Sequence, residues 1–175
     1  MRTRLHLDDA PFEDLLATYV RDHLAGAAGG HALAQRAAGT TGELDAEAGR
    51  TLRRLADEIG EDRRDLRRCA AALGIRQPRT RELAVRIAER LGRMKLNAQL
   101  LGTSALSPVL ELDLLIMGVS GKARVWRTLA VLVPDAVPDD IDLDGLERRA
   151  IAQREELEAL QDRLIPRLND PGPRE

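Results

Sequence analysis

The sequence predicts an all-α protein: an up-down four-helix bundle with a long crossover that carries an extra helix. Three observations predict it. Leucine and alanine supply 29 and 25 of the 175 residues, against 15 for valine and isoleucine together, an alphabet of helix formers rather than strand formers. Only three aromatic residues are present, Phe12, Tyr19 and Trp126. Proline is absent from residues 12–77, and elsewhere proline and glycine cut the chain into long periodic stretches.

Each element has its own signals. The first helix starts after Pro11, with Asp8 or Asp9 as its cap, and runs to about residue 38, where Gly39-Thr40-Thr41-Gly42 reads as a stop. The second covers about 44–73 and ends at Gly74, with Pro78 in the loop beyond. A third stretch, 80–101, is helical by the spacing of Leu83, Ile87, Leu91 and Met94. Gly102-Thr103-Ser104 breaks it. The fourth long helix covers about 106–132, with Pro108 tolerated in its first turn. A loop over 133–142 contains Pro134 and Pro138, and the last helix spans about 143–168. Helices of 25 to 30 residues are each about 40 Å long. The stretch from Leu73 to Leu106 is long enough to travel that distance, so the expected order is hairpin, crossover, hairpin. Residues 1–168 read as one domain and 169–175 as a disordered tail.

Composition limits the function classes. The apolar fraction of 43% is enough for a sizeable core. With 27 basic and 29 acidic residues, no electrostatic footprint for nucleic acid is expected. Three aromatics do not build a base-stacking platform. A single cysteine, Cys69, excludes an internal disulfide framework and a cysteine-based zinc site. The N-terminus carries charge within its first nine residues, at Arg2, Arg4, Asp8 and Asp9, and shows no signal-peptide apolar run. No stretch of 18 uncharged apolar residues offers a membrane span. The expectation is a cytoplasmic protein without nucleic-acid or membrane partners.

The informative residues are polar ones on apolar helix faces. His23 falls among Phe12, Leu16, Tyr19, Ala27, Gly30 and Ala34 on the first helix. Asp62 lies within the stripe of Leu55, Ile59, Leu66, Cys69, Ala70 and Leu73 on the second, with Glu58 at its edge. The fourth helix is apolar almost all round. Its polar strip is Asp113, Ser120, Arg124 and Arg127, and Lys122 and Glu111 lie opposite that strip with Leu115, Gly118 and Leu129. The last helix buries Leu146, Ala150, Leu157, Leu160 and Leu164, with Gln153 among them. Folding the first hairpin near residue 41 sets His23 between Glu58 and Asp62. Folding the second near residue 138 sets Lys122 beside Gln153. A crossover that returns the chain makes the second and fourth helices parallel, and all five residues then share one layer. Glu111 would stand about 16 Å from Lys122 along the axis.

This layout resembles the ferritin-like superfamily, over about residues 12–164 and in topology and position rather than motif. That resemblance implies a mid-bundle site for two metal ions, built from a Glu and a Glu-x-x-His in each helix pair. Here Glu58-Ile59-Gly60-Glu61 has Glu in place of the histidine, and Glu111-Leu112-Asp113-Leu114 has Leu. On the last helix, Glu155 and Glu158 are followed three residues later by Glu158 and Gln161. Asp22-His23-Leu24-Ala25-Gly26-Ala27 and the phrases from Leu106-Ser107-Pro108 to Gly121-Lys122 also resemble an uncharacterised bacterial group of helical bundles that lacks the di-metal ligands. That second resemblance brings no function with it.

Two readings of the polar layer follow. Carboxylates four residues apart on one helix repel, and when buried they need a cation, a proton or donors. Lys122 at their level supplies the cation, which makes a charge-and-hydrogen-bond cluster of His23, Glu58, Asp62, Lys122 and Gln153 the first expectation. The alternative is a metal site of His23, Glu58, Asp62 and Glu111 in an oxidase-type bundle. His31, about 12 Å along the axis from His23, shares no ion with it.

Asp140-Ile141-Asp142-Leu143-Asp144-Gly145 echoes the start of a calcium loop. Its twelfth position is Ile151 rather than Glu, so an acidic helix cap is expected. Gly118-Val119-Ser120-Gly121-Lys122 lacks the first glycine and the hydroxyl of a phosphate loop. Gly26, Gly29, Gly30, Gly118 and Gly121 read as sites of close helix approach, with a pocket over them as the alternative. Arg148 and Arg149 read as a solvated face, with Arg149 at most skirting the core. Cys69 reads as an inert core thiol. No nucleophile–base set assembles. The expected function is a non-catalytic binding or interaction module without a cofactor, whose small-molecule ligand the residues do not identify. The apolar surface of the fourth helix also points to a homodimer.

Overall fold

The computed structural model describes residues 11–76 and 106–168. Among these, four long helices carry almost every residue: α1 (Phe12–Leu44), α2 (Ala46–Ala72), α3 (Ser107–Leu132) and α4 (Leu143–Leu168), with a single 3-10 turn at Pro134–Ala136 before α4. The expected helix over 80–101, the tail over 169–175 and the cap residues Asp8 and Asp9 lie outside the described residues.

The first hairpin departs from the sequence reading. Gly39-Thr40-Thr41-Gly42 does not end α1, which continues to Leu44. Thr40 Oγ1 bonds back to the carbonyls of Arg36 and Ala37 at 3.4 and 3.3 Å, and Thr41 is fully buried. Gly42 is present for packing. A Cβ on Gly49 of α2 would stand 2.6 Å from the Gly42 Cα, so the two helices touch backbone to backbone. The turn is one residue, Asp45, in extended conformation. Its carboxylate accepts from the amides of Glu47 and Ala48 at 2.9 and 3.1 Å and caps α2.

The other end of α2 follows the sequence signal. Gly74 takes φ of +67°. The Ile75 amide reaches the Ala70 carbonyl at 2.9 Å and the Gly74 amide that of Ala71 at 3.0 Å, the paired closure in which glycine terminates helices. Buried Ile75 supplies the apolar contact that accompanies it.

Interhelical bonds fix the directions. Tyr19 pairs with Thr128 near one end of α1 and α3 (3.2 Å) and Arg36 with Glu111 towards the other (2.9 Å), so α1 and α3 are antiparallel. Arg167 reaches Asp45 at one end of α4 and α2 (2.5 Å), and Arg68 reaches Asp140 at the other (2.6 Å), so α2 and α4 are antiparallel. Gln161 of α4 donates to the Val109 carbonyl of α3 at 3.1 Å, and the pair forms the second hairpin. Hence α2 and α3 run parallel, and Arg76 and Leu106 lie at opposite ends of the bundle.

The core runs the length of this arrangement. Val20, Leu52, Leu55, Leu112, Leu115, Val125, Trp126, Leu129, Leu157 and Leu160 are all nearly or wholly enclosed. Each hairpin packs closely within itself, and α1 lies against α3, whereas the α2 and α4 backbones approach little. Side chains fill that fourth seam.

Candidate functional site: a buried ionic chain

The α2–α4 seam is bridged along its length by charged side chains. From the Asp45 end these rungs are Asp45–Arg167, Glu47–Arg163, Arg54–Glu156, Asp62–Arg149 and Arg68–Asp140. Most are exposed and individually weak. The middle of the seam differs, because there the polar groups turn inward. Asp62 is 1% exposed and Gln153 2%.

Asp62 sits on the apolar stripe of α2, between Ile59 and Leu66, so helix geometry alone carries its carboxylate inside. One oxygen accepts from the Lys122 ammonium of α3 and the other from the Arg149 guanidinium of α4. Lys122 also donates to Gln153 Oε1. Gln153 Nε2 donates to Glu58 at 2.7 Å, and Glu58 accepts from Arg54 at 2.5 Å. Arg54 passes the chain to Glu156 at the surface. A continuous line of bonds therefore crosses from Glu156 through the core to Arg149. Three carboxylates meet three cations along it, so the charge is locally balanced.

The electrostatics follow from that pairing. Burial presses the Lys122 ammonium below the ordinary lysine value, while the charge and hydrogen bond of Asp62 act against the fall and Arg149 adds to it. Burial alone would raise the Glu58 carboxyl. The hydrogen bonds from Gln153 and Arg54 and the charges of Arg54 and Arg149 outweigh burial and hold it below 4.5. A depressed carboxyl contributes stability that is present above its unfolded value and lost as pH falls through its folded value. The urea midpoint of the protein should therefore decline from about pH 5 to about pH 3, and Glu58→Gln should flatten part of that limb. Parallel pH profiles for Glu58→Gln and wild type would show that the Glu58 bonds contribute nothing to folding.

Of the five residues expected in one layer, the structure brings together Glu58, Asp62, Lys122 and Gln153. His23 is not among them. With Gly42 against Gly49 and His31 against Gly60, residue 23 stands level with about residue 68. That is some 13 Å along the axis from the expected place. The cause is the six residues by which α1 outlasts its apparent glycine stop. His23 instead donates from Nδ1 to the Tyr19 carbonyl at 2.9 Å, its ring 4.2 Å from that of Tyr19. His31 occupies the level nearer the cluster, its ring lying where Gly60 has no side chain.

The alternative metal set is likewise dispersed. Glu111 is held by Arg36 and Thr40 at 2.9 and 3.0 Å, towards the Asp45 end of the bundle, while His23 lies towards the other. Among the described residues no three His, Cys, Asp or Glu side chains stand close enough to hold an ion.

Several smaller expectations also meet their geometry here. Asp142 accepts from the Gly145 amide at 2.9 Å at the start of α4, and Asp140 pairs with Arg68. Ile141 and Leu143 are buried, so this stretch caps a helix. Gly26, Gly30, Gly118 and Gly121 do not mark close helix approach, since a Cβ at any of them meets nothing within 4 Å. They lie on flanks of α1 and α3 that are open to the surface, and the close approach falls at Gly42 and Gly49 instead. Cys69 is fully buried and burial raises its thiol to about 11, away from reactivity. No described helix is long and apolar enough to cross a membrane.

Arg149 is the site residue that the sequence reading placed on the rim. It lies one turn before Gln153, and in the antiparallel register that sets Gln153 on Glu58 it falls on Asp62. That register between the two hairpins was the available signal. Compared with known proteins, the chain matches no family model, no curated protein and no solved structure.

Proposed function

We propose that the protein is a non-catalytic, ferritin-like helical bundle of the cytoplasm, in which the buried ionic chain takes the place of a metal centre and the bundle serves as a binding or interaction module. One observation carries this reading. Asp62, the innermost carboxylate, is saturated by two protein cations, Lys122 and Arg149. A divalent ion entering there would meet two fixed positive charges, while its usual carboxylate ligands are already engaged. The ferritin-like topology is supported by two antiparallel hairpins with parallel α2 and α3, and by polar side chains from three helices at one level.

Elemental analysis of protein purified without chelator tests the proposal against the oxidase-type alternative. Iron, manganese and zinc should each be far below stoichiometric, and added Fe²⁺ or Mn²⁺ should leave the melting temperature unchanged. One or two tightly held equivalents, with a raised melting temperature, would overturn it.

A further inference from the structure

Eight large apolar side chains are exposed among the described residues, and four of them gather at one end of the bundle. Phe12 and Leu15 stand on the first turn of α1, and Val131 and Leu132 on the last turn of α3, each between 48% and 60% exposed. The Tyr19–Thr128 bond joins the two helices just behind them, and in that antiparallel register Leu15 stands level with Leu132. Pro134 and Ala136 of the turn after α3 are exposed as well. The other four are Met117, alone at the middle of α3, and Leu44, Leu106 and Ile165, which lie on three different helices. Apolar side chains gathered in this way on a surface call for a covering partner.

Charge around the patch identifies the partner. Arg127 stands four residues before Val131, and Asp135 four residues after it. Both are exposed, and neither is held by another side chain among the described residues. Along α3 and its following turn the patch therefore has a basic edge, an apolar middle and an acidic edge. Such a surface is complementary to itself. Turned about a two-fold axis at Val131, the basic edge of each copy falls on the acidic edge of the other.

We propose that this end of α1 and α3 is the contact between two copies of the chain, with the two α3 helices antiparallel across a two-fold axis at Val131. Leu15, Val131 and Leu132 bury against their counterparts there, and Arg127 of each copy pairs with Asp135 of the other. The contact uses a different face from the ionic chain and stands whether or not that chain excludes metal.

Sedimentation equilibrium of the full chain, up to sub-millimolar concentration, tests the contact. The wild-type protein should sediment as a dimer and Val131→Asp as a monomer. Arg127→Glu and Asp135→Arg should each weaken the dimer about tenfold or more, because the symmetry sets two like-charge pairs in place of two ion pairs. The double variant Arg127→Glu, Asp135→Arg should restore wild-type association, which a general effect of either substitution on folding would not allow. All three positions are exposed, so every variant should keep the wild-type helical circular dichroism. A wild-type chain that stays monomeric throughout overturns the proposal. So does a dimer that survives Val131→Asp, which would put the contact on another surface. Single reversals without effect, or reversals that the double variant does not rescue, overturn it as well.

Discussion

Asp62→Asn should lower the unfolding free energy by about 3 to 5 kcal/mol, the usual cost of removing one partner from a buried ion pair. The carboxylate bridges Lys122 and Arg149, and its loss leaves two cations facing each other inside the seam. Arg149 is partly exposed and swings outward. Lys122, 10% exposed, has no such route and sheds its proton or stays stranded. Lys122→Met should cost less, because Asp62 then retains Arg149 and only Gln153 Oε1 loses its donor. The double variant Asp62→Leu, Lys122→Met should recover much of the loss, since apolar replacement of a whole buried pair is often neutral or stabilising. Urea unfolding of the three variants checks the ordering. Asp62→Asn as stable as wild type would mean that the pair is not buried in solution.

Gly49→Ala should destabilise by about 1 to 3 kcal/mol, although alanine is the better helix former. The added methyl group would stand 2.6 Å from the Gly42 Cα and 3.1 Å from the Ala38 carbonyl oxygen. Both are backbone atoms and cannot rotate away, so α1 and α2 must separate near their turn. Gly118→Ala has no neighbour within 4 Å and should gain up to about 1 kcal/mol from helix propensity alone. Thermal or urea midpoints that move the same way for both would refute the close contact at Gly49.

These cases show which parts of the site were legible beforehand. Apolar periodicity placed Asp62, Lys122 and Gln153 inward, because a polar residue at helical spacing among leucines goes where the leucines go. Folding the second hairpin about its proline loop aligned Lys122 with Gln153. The first hairpin failed because glycine has two uses, as a helix terminator and as the residue that lets two helices touch. Gly42 serves the second, and only its partner Gly49 across the turn reveals that. Once the turn moved to Asp45, His23 left the layer. Arg149 was hidden by a different effect: a long cation at the edge of an apolar face reads as solvated until the opposite helix presents a carboxylate.

The one-residue joint at Asp45 bears on the order in which the fold assembles. A joint this short adds almost no loop-closure entropy, so α1 and α2 meet through local contacts and form early. The ionic chain forms late, because Asp62 belongs to one hairpin while Lys122, Gln153 and Arg149 belong to the other. Leucines slide over leucines with little penalty, and two apolar hairpins meeting face to face have several near-equivalent alignments. A slip of one helical turn carries Asp62 about 5.4 Å past both of its cations, leaving charge buried without a partner. A slipped alignment of the two hairpins therefore carries the cost of a stranded buried charge, which the aligned docking avoids.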